Sequence, residues 1–162
     1  MIFMEEDTRI ITRGERNNNP LNIKYSEKNK WVGKKYANKT DMVFEEFKTM
    51  THGLRAAIKL ISNYCMRENG STPAAIIRRW APSNADGNNT KEYIAYVEMR
   101  MKQLLVEEWK YALEYDPSRR ISCKNYDVMH ALITAMSEFE SRYTPLDFDF
   151  KAAWIMIYGR GV

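Results

Sequence analysis

Up to about Thr51, apolar positions come only in short runs such as Met42-Val43-Phe44, set among Asn, Lys, Gly and aromatic residues. That pattern predicts loops with a small hairpin. From Thr51 the spacing changes. Leu54, Ala57, Ile58, Ile61 and Cys65 recur three and four apart, one face of a helix, and Asn69-Gly70 ends it. Thr72-Pro73 supplies an N-cap and a first-turn proline for a short helix to about Trp80. The turn residues from Ala81 to Asn89 predict a loop. Thr90 then caps a long helix carrying Ile94, Val97, Met101, Leu104 and Leu105, and Asp116-Pro117-Ser118 breaks the chain again. Two final helical segments follow, about Tyr126 to Arg142 and about Asp149 to Tyr158. The whole reads as one mainly α domain over 1–162, a helical cluster with an irregular N-terminal lobe.

One polar residue falls where the pattern demands an apolar one. The stripe Met129, Leu132, Ile133, Met136 continues to Phe139 and Glu140. Glu138 lies on another face, with Ala131, Thr134 and Ala135. A carboxylate on a core face is costly unless paired or protonated, and a helix C-terminus disfavours negative charge further. Both effects raise a carboxyl pKa, as a general acid at neutral pH requires. A structural Glu salt-bridged to Arg142 or Arg78 accounts for the same pattern.

Composition narrows the choices little. The chain has 162 residues, 44% hydrophobic and 28% charged, ordinary for a globular domain able to bury its own core. Its apolar runs are too short to span a bilayer. The start, Met1-Ile2-Phe3-Met4-Glu5-Glu6-Asp7, lacks the basic and apolar regions of a secretory signal. A protein made in the cytoplasm without one would reach a cell wall as a virion component or by another export route. Cys65 and Cys123 read as free, buried thiols, a disulfide being the weaker account. Net charge is +4 with a pI near 9.0. The basic residues are scattered and no nucleic-acid motif is present, so nucleic acid is the weaker partner and an anionic cell-wall polymer fits as well. His52 and His130 form no metal-ligand spacing, and no phosphate loop or nucleotide fingerprint appears, so no cofactor is expected.

The segment Leu132-Ile133-Thr134-Ala135-Met136-Ser137-Glu138-Phe139-Glu140-Ser141-Arg142-Tyr143-Thr144-Pro145 resembles the catalytic segment of lytic transglycosylases, apolar-x-x-A-x-x-x-x-E-S-x-F-x-P. Glu140-Ser141 matches E-S, Tyr143 stands for the aromatic, and Pro145 matches the proline. The G-L-M-Q segment of typical members is absent. A second set of residues is similar to small phage and prophage virion proteins. It comprises Arg13-Gly14-Glu15-Arg16-Asn17-Asn18-Asn19-Pro20-Leu21-Asn22-Ile23, Trp31-Val32-Gly33, Phe44 and Phe47, Gly53-Leu54-Arg55-Ala56, Ile76-Ile77-Arg78-Arg79-Trp80-Ala81-Pro82, Asn89-Thr90 and Tyr93-Ile94. It also resembles the N-N-x-F-x-I-K…W-x-G element of bacterial glucosaminidases, which follows their catalytic helix and helps line the glycan cleft. Here that element precedes the Glu helix. The resemblance therefore implies a lysozyme-like domain, circularly permuted, which termini lying close at the surface make physically easy.

On that resemblance the expected function is cleavage of peptidoglycan glycan strands, of lytic transglycosylase or muramidase type, by a single Glu. The alternative is a non-catalytic virion structural or glycan-binding protein of the same shape. Glu140 is the first catalytic candidate and Glu15 the second, although an Arg-paired, solvated Glu15 is the simpler account. Asp86 is explained by its turn. Asn18, Asn19 and Asn22 offer amides for sugar hydroxyls and acetamido groups, with Asx turns as the competing account for at least two of Asn17, Asn18, Asn19 and Asn22. Tyr25, Trp31, Trp80 and Tyr143 are the aromatic candidates, Trp80 being the weaker tryptophan because it ends an apolar helix face.

Overall fold

The computed structural model describes residues 9–67, 71–83 and 89–160. It is mainly helical. The helices are α1 (Arg13–Arg16), α2 (Met50–Arg67), α3 (Pro73–Trp80), α4 (Thr90–Lys102), α5 (Tyr126–Ser141) and α6 (Asp147–Tyr158), with a π-helical turn, Gln103–Glu108, continuing α4. In place of the expected hairpin, the described residues of the N-terminal lobe hold only two isolated antiparallel bridges, Lys24 with Phe44 and Lys34 with Phe47.

Local signals explain most boundaries. Thr72 accepts from the Ala75 amide and Pro73 opens α3. Thr90 is the first residue of α4 and not its cap. Asn89 caps the helix through the Glu92 amide, and the Thr90 hydroxyl donates to the Ala81 carbonyl, tying α4 to the end of α3. Asn125 caps α5, and Arg142 ends it in the left-handed region at φ 48°. α6 starts at Asp147, two residues before the expected Asp149. The wide turn at the end of α4, where the Trp109 amide reaches the Leu104 carbonyl (2.8 Å), is invisible to a 3.6-residue period. Both Leu104 and Leu105 are buried there, and Trp109 stacks on His130 at 4.5 Å.

α5 is the central element. Every residue from Met129 to Ser137 is buried, as in a helix covered on all sides. It packs on α4, the π turn, α2 and α1, while α2 lies along α6. His130 is sandwiched between Trp109 and Phe150 (4.5 and 4.3 Å), which accounts for it as a core residue.

The N-terminal lobe is held by polar groups. Asp41 accepts two bonds from Arg13 (2.5 and 2.7 Å), one from Asn17 (2.8 Å) and the amides of Val43 and Phe44. The Arg13 bonds come first among the causes that keep its carboxyl far below the usual range. Burial alone would raise Glu46, but bonds from Thr40 and the Asp41 amide overcome it and the net direction is down. Lys34 and Glu45 form a fully buried ion pair at 2.9 Å, with Lys34 also donating to the carbonyls of Ser26 and Asn29.

This lobe crosses the C-terminal end of α5. Thr12 donates to the Ser141 carbonyl (2.5 Å), Ser141 to the Pro20 carbonyl (2.8 Å), and Asn22 to the Glu140 carbonyl (3.2 Å). Gly14 permits the contact, since a Cβ there would lie 2.0 Å from the Ser141 hydroxyl. Gly53 is equally constrained, its missing Cβ falling 1.7 Å from the Asn18 carbonyl oxygen. Residues 12–22 and the last turn of α5 are therefore direct neighbours.

Candidate functional site

A cavity of about 770 Å³ opens where the N-terminal lobe meets α2, α3 and α5. The lobe contributes Leu21, Asn22, Ile23, Lys24 and Asn29 on one side and Val43 and Phe44 on another. Leu60 and Tyr64 come from α2, and Trp80, Ala81 and Pro82 from the end of α3. Glu140, in the last turn of α5, is the one carboxylate lining it among the described residues. The lining is thus mostly apolar with a few polar groups, the usual character of a small-ligand cleft.

Glu140 is half-buried and pairs with neither Arg78 nor Arg142; no described cation forms an ion pair with it. Its Oε1 accepts from the Trp80 indole nitrogen at 3.1 Å. The Tyr93 hydroxyl is buried and makes no hydrogen bond of good geometry, but lies close enough to help hold charge on the carboxylate. Burial is the largest influence and raises the Glu140 carboxyl above the ordinary Glu value, against the opposing pull of Trp80, Tyr93 and Asn22. The same burial, with the Glu140 charge nearby, drives the Tyr93 phenol well upward, so Tyr93 stays protonated. Tyr93 is fixed by stacking on Phe139 at 4.2 Å.

Glu138 has a different fate. Arg100 donates to both its oxygens (2.8 and 3.3 Å), and Thr144 donates to Oε2 at 2.8 Å. Two carboxylates two residues apart are thus separated into a paired structural group and an unpaired, partly desolvated one.

The other candidates divide clearly. Trp80 and Asn22 line the cavity beside Glu140. Asn22 sits in the left-handed region at φ 51°, and its Oδ1 is buried without a partner. Glu15 lies outside the cavity in α1, ion-paired with Arg9 at 3.0 Å. Asn19 is a fully buried clasp, bonded to Ile23 through both amide atoms and to the Glu45 carbonyl. Asn18 donates to the Phe47 carbonyl at 3.1 Å. Tyr25 lies under Lys34 and Lys39, 4.5 and 4.8 Å from its ring, and Tyr143 accepts from Ser137 through its carbonyl; neither lines the cavity. Asp86 lies outside the described residues.

The order of the two tryptophans is reversed. Trp80, at the end of α3, faces Glu140, whereas Trp31 packs partly buried against the core and away from the cavity. Trp31→Ala is therefore expected to cost about 2–4 kcal/mol of stability through lost packing and to leave any glycan binding of the folded chain unchanged. Thermal melts alongside glycan co-sedimentation check this, and lost binding at full stability would return Trp31 to the site.

Sequence reasoning missed the site roles of Tyr93, Tyr64 and Phe44. Tyr93 lay within reach, since it sits one turn into a capped helix and in the motif set without a role assigned. Tyr64 stands beside Cys65 in a helix read only for its apolar face, and nothing in that spacing marks it.

Among the described residues no cluster of three or more His, Cys, Asp or Glu side chains could hold a metal ion, and no helix is long and apolar enough to cross a membrane. No protein-family model matches the chain. Over 139 residues it is 32% identical to "Protein P5" of Pseudoalteromonas phage PM2, an alignment covering 85% of this chain and 76% of that protein.

Proposed function

This chain belongs to the family of Protein P5 of Pseudoalteromonas phage PM2, and on that premise we propose that it is a phage-type enzyme cleaving the glycan strands of peptidoglycan, with Glu140 as its single general acid and base. The observation carrying this reading is a half-buried carboxyl, raised in pKa and free of any described cation, lining an open and mostly apolar cavity. The lysozyme-like, permuted domain is part of the same proposal. It is supported by the N-terminal lobe lying across the Glu140 end of the central helix.

With Oε1 engaged by the Trp80 indole, Oε2 is the oxygen left to carry the proton. Protonated Glu140 gives it to the glycosidic oxygen as the bond breaks, and the resulting carboxylate is held by Trp80 and Tyr93. The carboxylate then takes a proton from the incoming nucleophile. A cavity with one described carboxylate favours the sugar's own hydroxyl as that nucleophile, closing an anhydro ring, since a second carboxylate is the usual activator of water. Mass spectrometry of purified peptidoglycan after incubation is expected to find anhydro ends. Reducing ends would make the protein a hydrolase. Unchanged strands would leave a non-catalytic virion component.

Trp80→Phe keeps the ring and removes the donor to Oε1. A carboxylate that loses a hydrogen bond is protonated more easily, so the Glu140 pKa rises further. The alkaline limb of the kcat/KM profile should move to higher pH, because the acid form persists further. A limb that stays in place or moves to lower pH would dissociate Trp80 from the acid.

A further inference from the structure

Two thiols stand apart from the chemistry described so far. Cys65, buried near the end of α2, donates its S–H to the Ile121 carbonyl at 3.4 Å, and Cys123 follows two residues later, only partly covered. The Cys65 thiol thus meets the segment carrying Cys123, and both sulfurs are reduced. Their location matters. Cys65 follows Tyr64, which lines the cavity, and Cys123 lies just before Asn125, the cap of α5, whose far end carries Glu140. α2, which gives Leu60 and Tyr64 to the cavity, and the segment leading into α5, which gives Glu140, therefore meet at this point through the Cys65–Ile121 hydrogen bond.

We propose that Cys65 and Cys123 are a redox latch, an intrachain dithiol that closes to a disulfide when the chain meets a small disulfide oxidant such as oxidised glutathione. The partly exposed Cys123 reacts first. Its thiolate attacks one glutathione sulfur, forming a mixed disulfide and expelling one glutathione thiolate. The Cys65 thiolate then attacks the Cys123 sulfur, forming the internal bond and expelling the second glutathione. The protein gives up two electrons and two protons, and one oxidised glutathione becomes two reduced ones. Burial, with Cys65 beside it, pushes the Cys123 thiol up, so closure is slow at neutral pH and accelerates as pH rises. Reducing cytoplasmic conditions keep the latch open and an oxidising compartment closes it. This holds whether or not the chain cleaves glycan.

The test is incubation of the full chain with oxidised glutathione at mildly alkaline pH, followed by intact mass, non-reducing peptide mapping and thermal melts. The expected product is a monomer lacking two hydrogens that yields one peptide joining Cys65 to Cys123. Its Tm is raised by about 5–10 °C because the closed loop is long, and reductant reverses the rise. Cys65→Ser should instead stop at one stable glutathione adduct on Cys123, which shows the first step directly. A wild-type chain that remains reduced, stops at the adduct or dimerises through Cys123 overturns the proposal. So does a linked peptide with no rise in Tm.

Discussion

Under the proposed glycan-cleaving function, Glu140→Gln is expected to fold, to hold glycan and to lose cleavage by about 10²- to 10⁴-fold, the usual worth of general acid catalysis. The amide keeps the size of the side chain and can still accept from the Trp80 indole, but it has no proton to transfer. Stability should move the other way. A carboxyl whose folded pKa is raised contributes fully only below its unfolded pKa, and that contribution is lost as pH rises through the folded value. Above that value the wild type carries a partly desolvated charge that the amide lacks. Glu140→Gln should then match the wild type in acid and equal or exceed its Tm at neutral pH. Glu138→Gln is the contrasting variant. It weakens the contacts to Arg100 and Thr144, so it should lower stability while leaving the proposed cleavage by the folded chain near wild type. Melts across pH and cleavage assays on both variants decide the matter. Full activity in Glu140→Gln, or a large stability loss in it at neutral pH, would remove Glu140 from the role.

Lys34→Met is expected to cost about 3–5 kcal/mol, because it leaves the Glu45 carboxylate buried without its counter-charge. That would lower the melting temperature by about 10 °C in a domain of this size. The carbonyls of Ser26 and Asn29 lose their shared donor in the same step, and Asn29 lines the cavity. The double change Lys34→Met with Glu45→Leu should recover part of the loss, since removing both charges also removes the desolvation cost. It cannot recover all of it, because the Ser26 amide then loses its acceptor. A denaturant series on the two single variants and the double one measures the coupling. A single variant that costs under 1 kcal/mol would mean that water reaches this pair.

The helices were legible because their signals are local. Thr72-Pro73 and the three-and-four spacing of Leu54, Ile58 and Ile61 each act within a turn of themselves. Glu140 was legible because one polar side chain interrupts an apolar stripe, a contrast visible without coordinates. The N-terminal lobe was not. Its interior is built from Asp41, Glu45, Glu46, Lys34 and Asn19, residue types that a hydrophobic pattern assigns to solvent. Burial of such groups depends on partners far along the chain, such as Arg13 for Asp41. The same reasoning misplaced Trp31. It was ranked above Trp80 because it lies on no apolar helix face, but it packs partly buried against the core. The π turn after Lys102 escaped for another cause, because a widened turn shifts the apolar period without leaving a residue type that marks it.

The bonds that fasten the N-terminal lobe to the end of α5 also constrain when the cavity can exist. Thr12 reaches Ser141 across 129 positions, Ser141 reaches Pro20 across 121, and Asn22 reaches Glu140 across 118. Contacts of such separation form late, since the entropy of closing the chain must be met before they can contribute. During synthesis the lobe emerges first and must wait for α5 before Asn22 meets Glu140. A nascent chain therefore carries the Asn22 side of the cavity before the Glu140 side, and the cavity is complete only once its most distant segments have found each other.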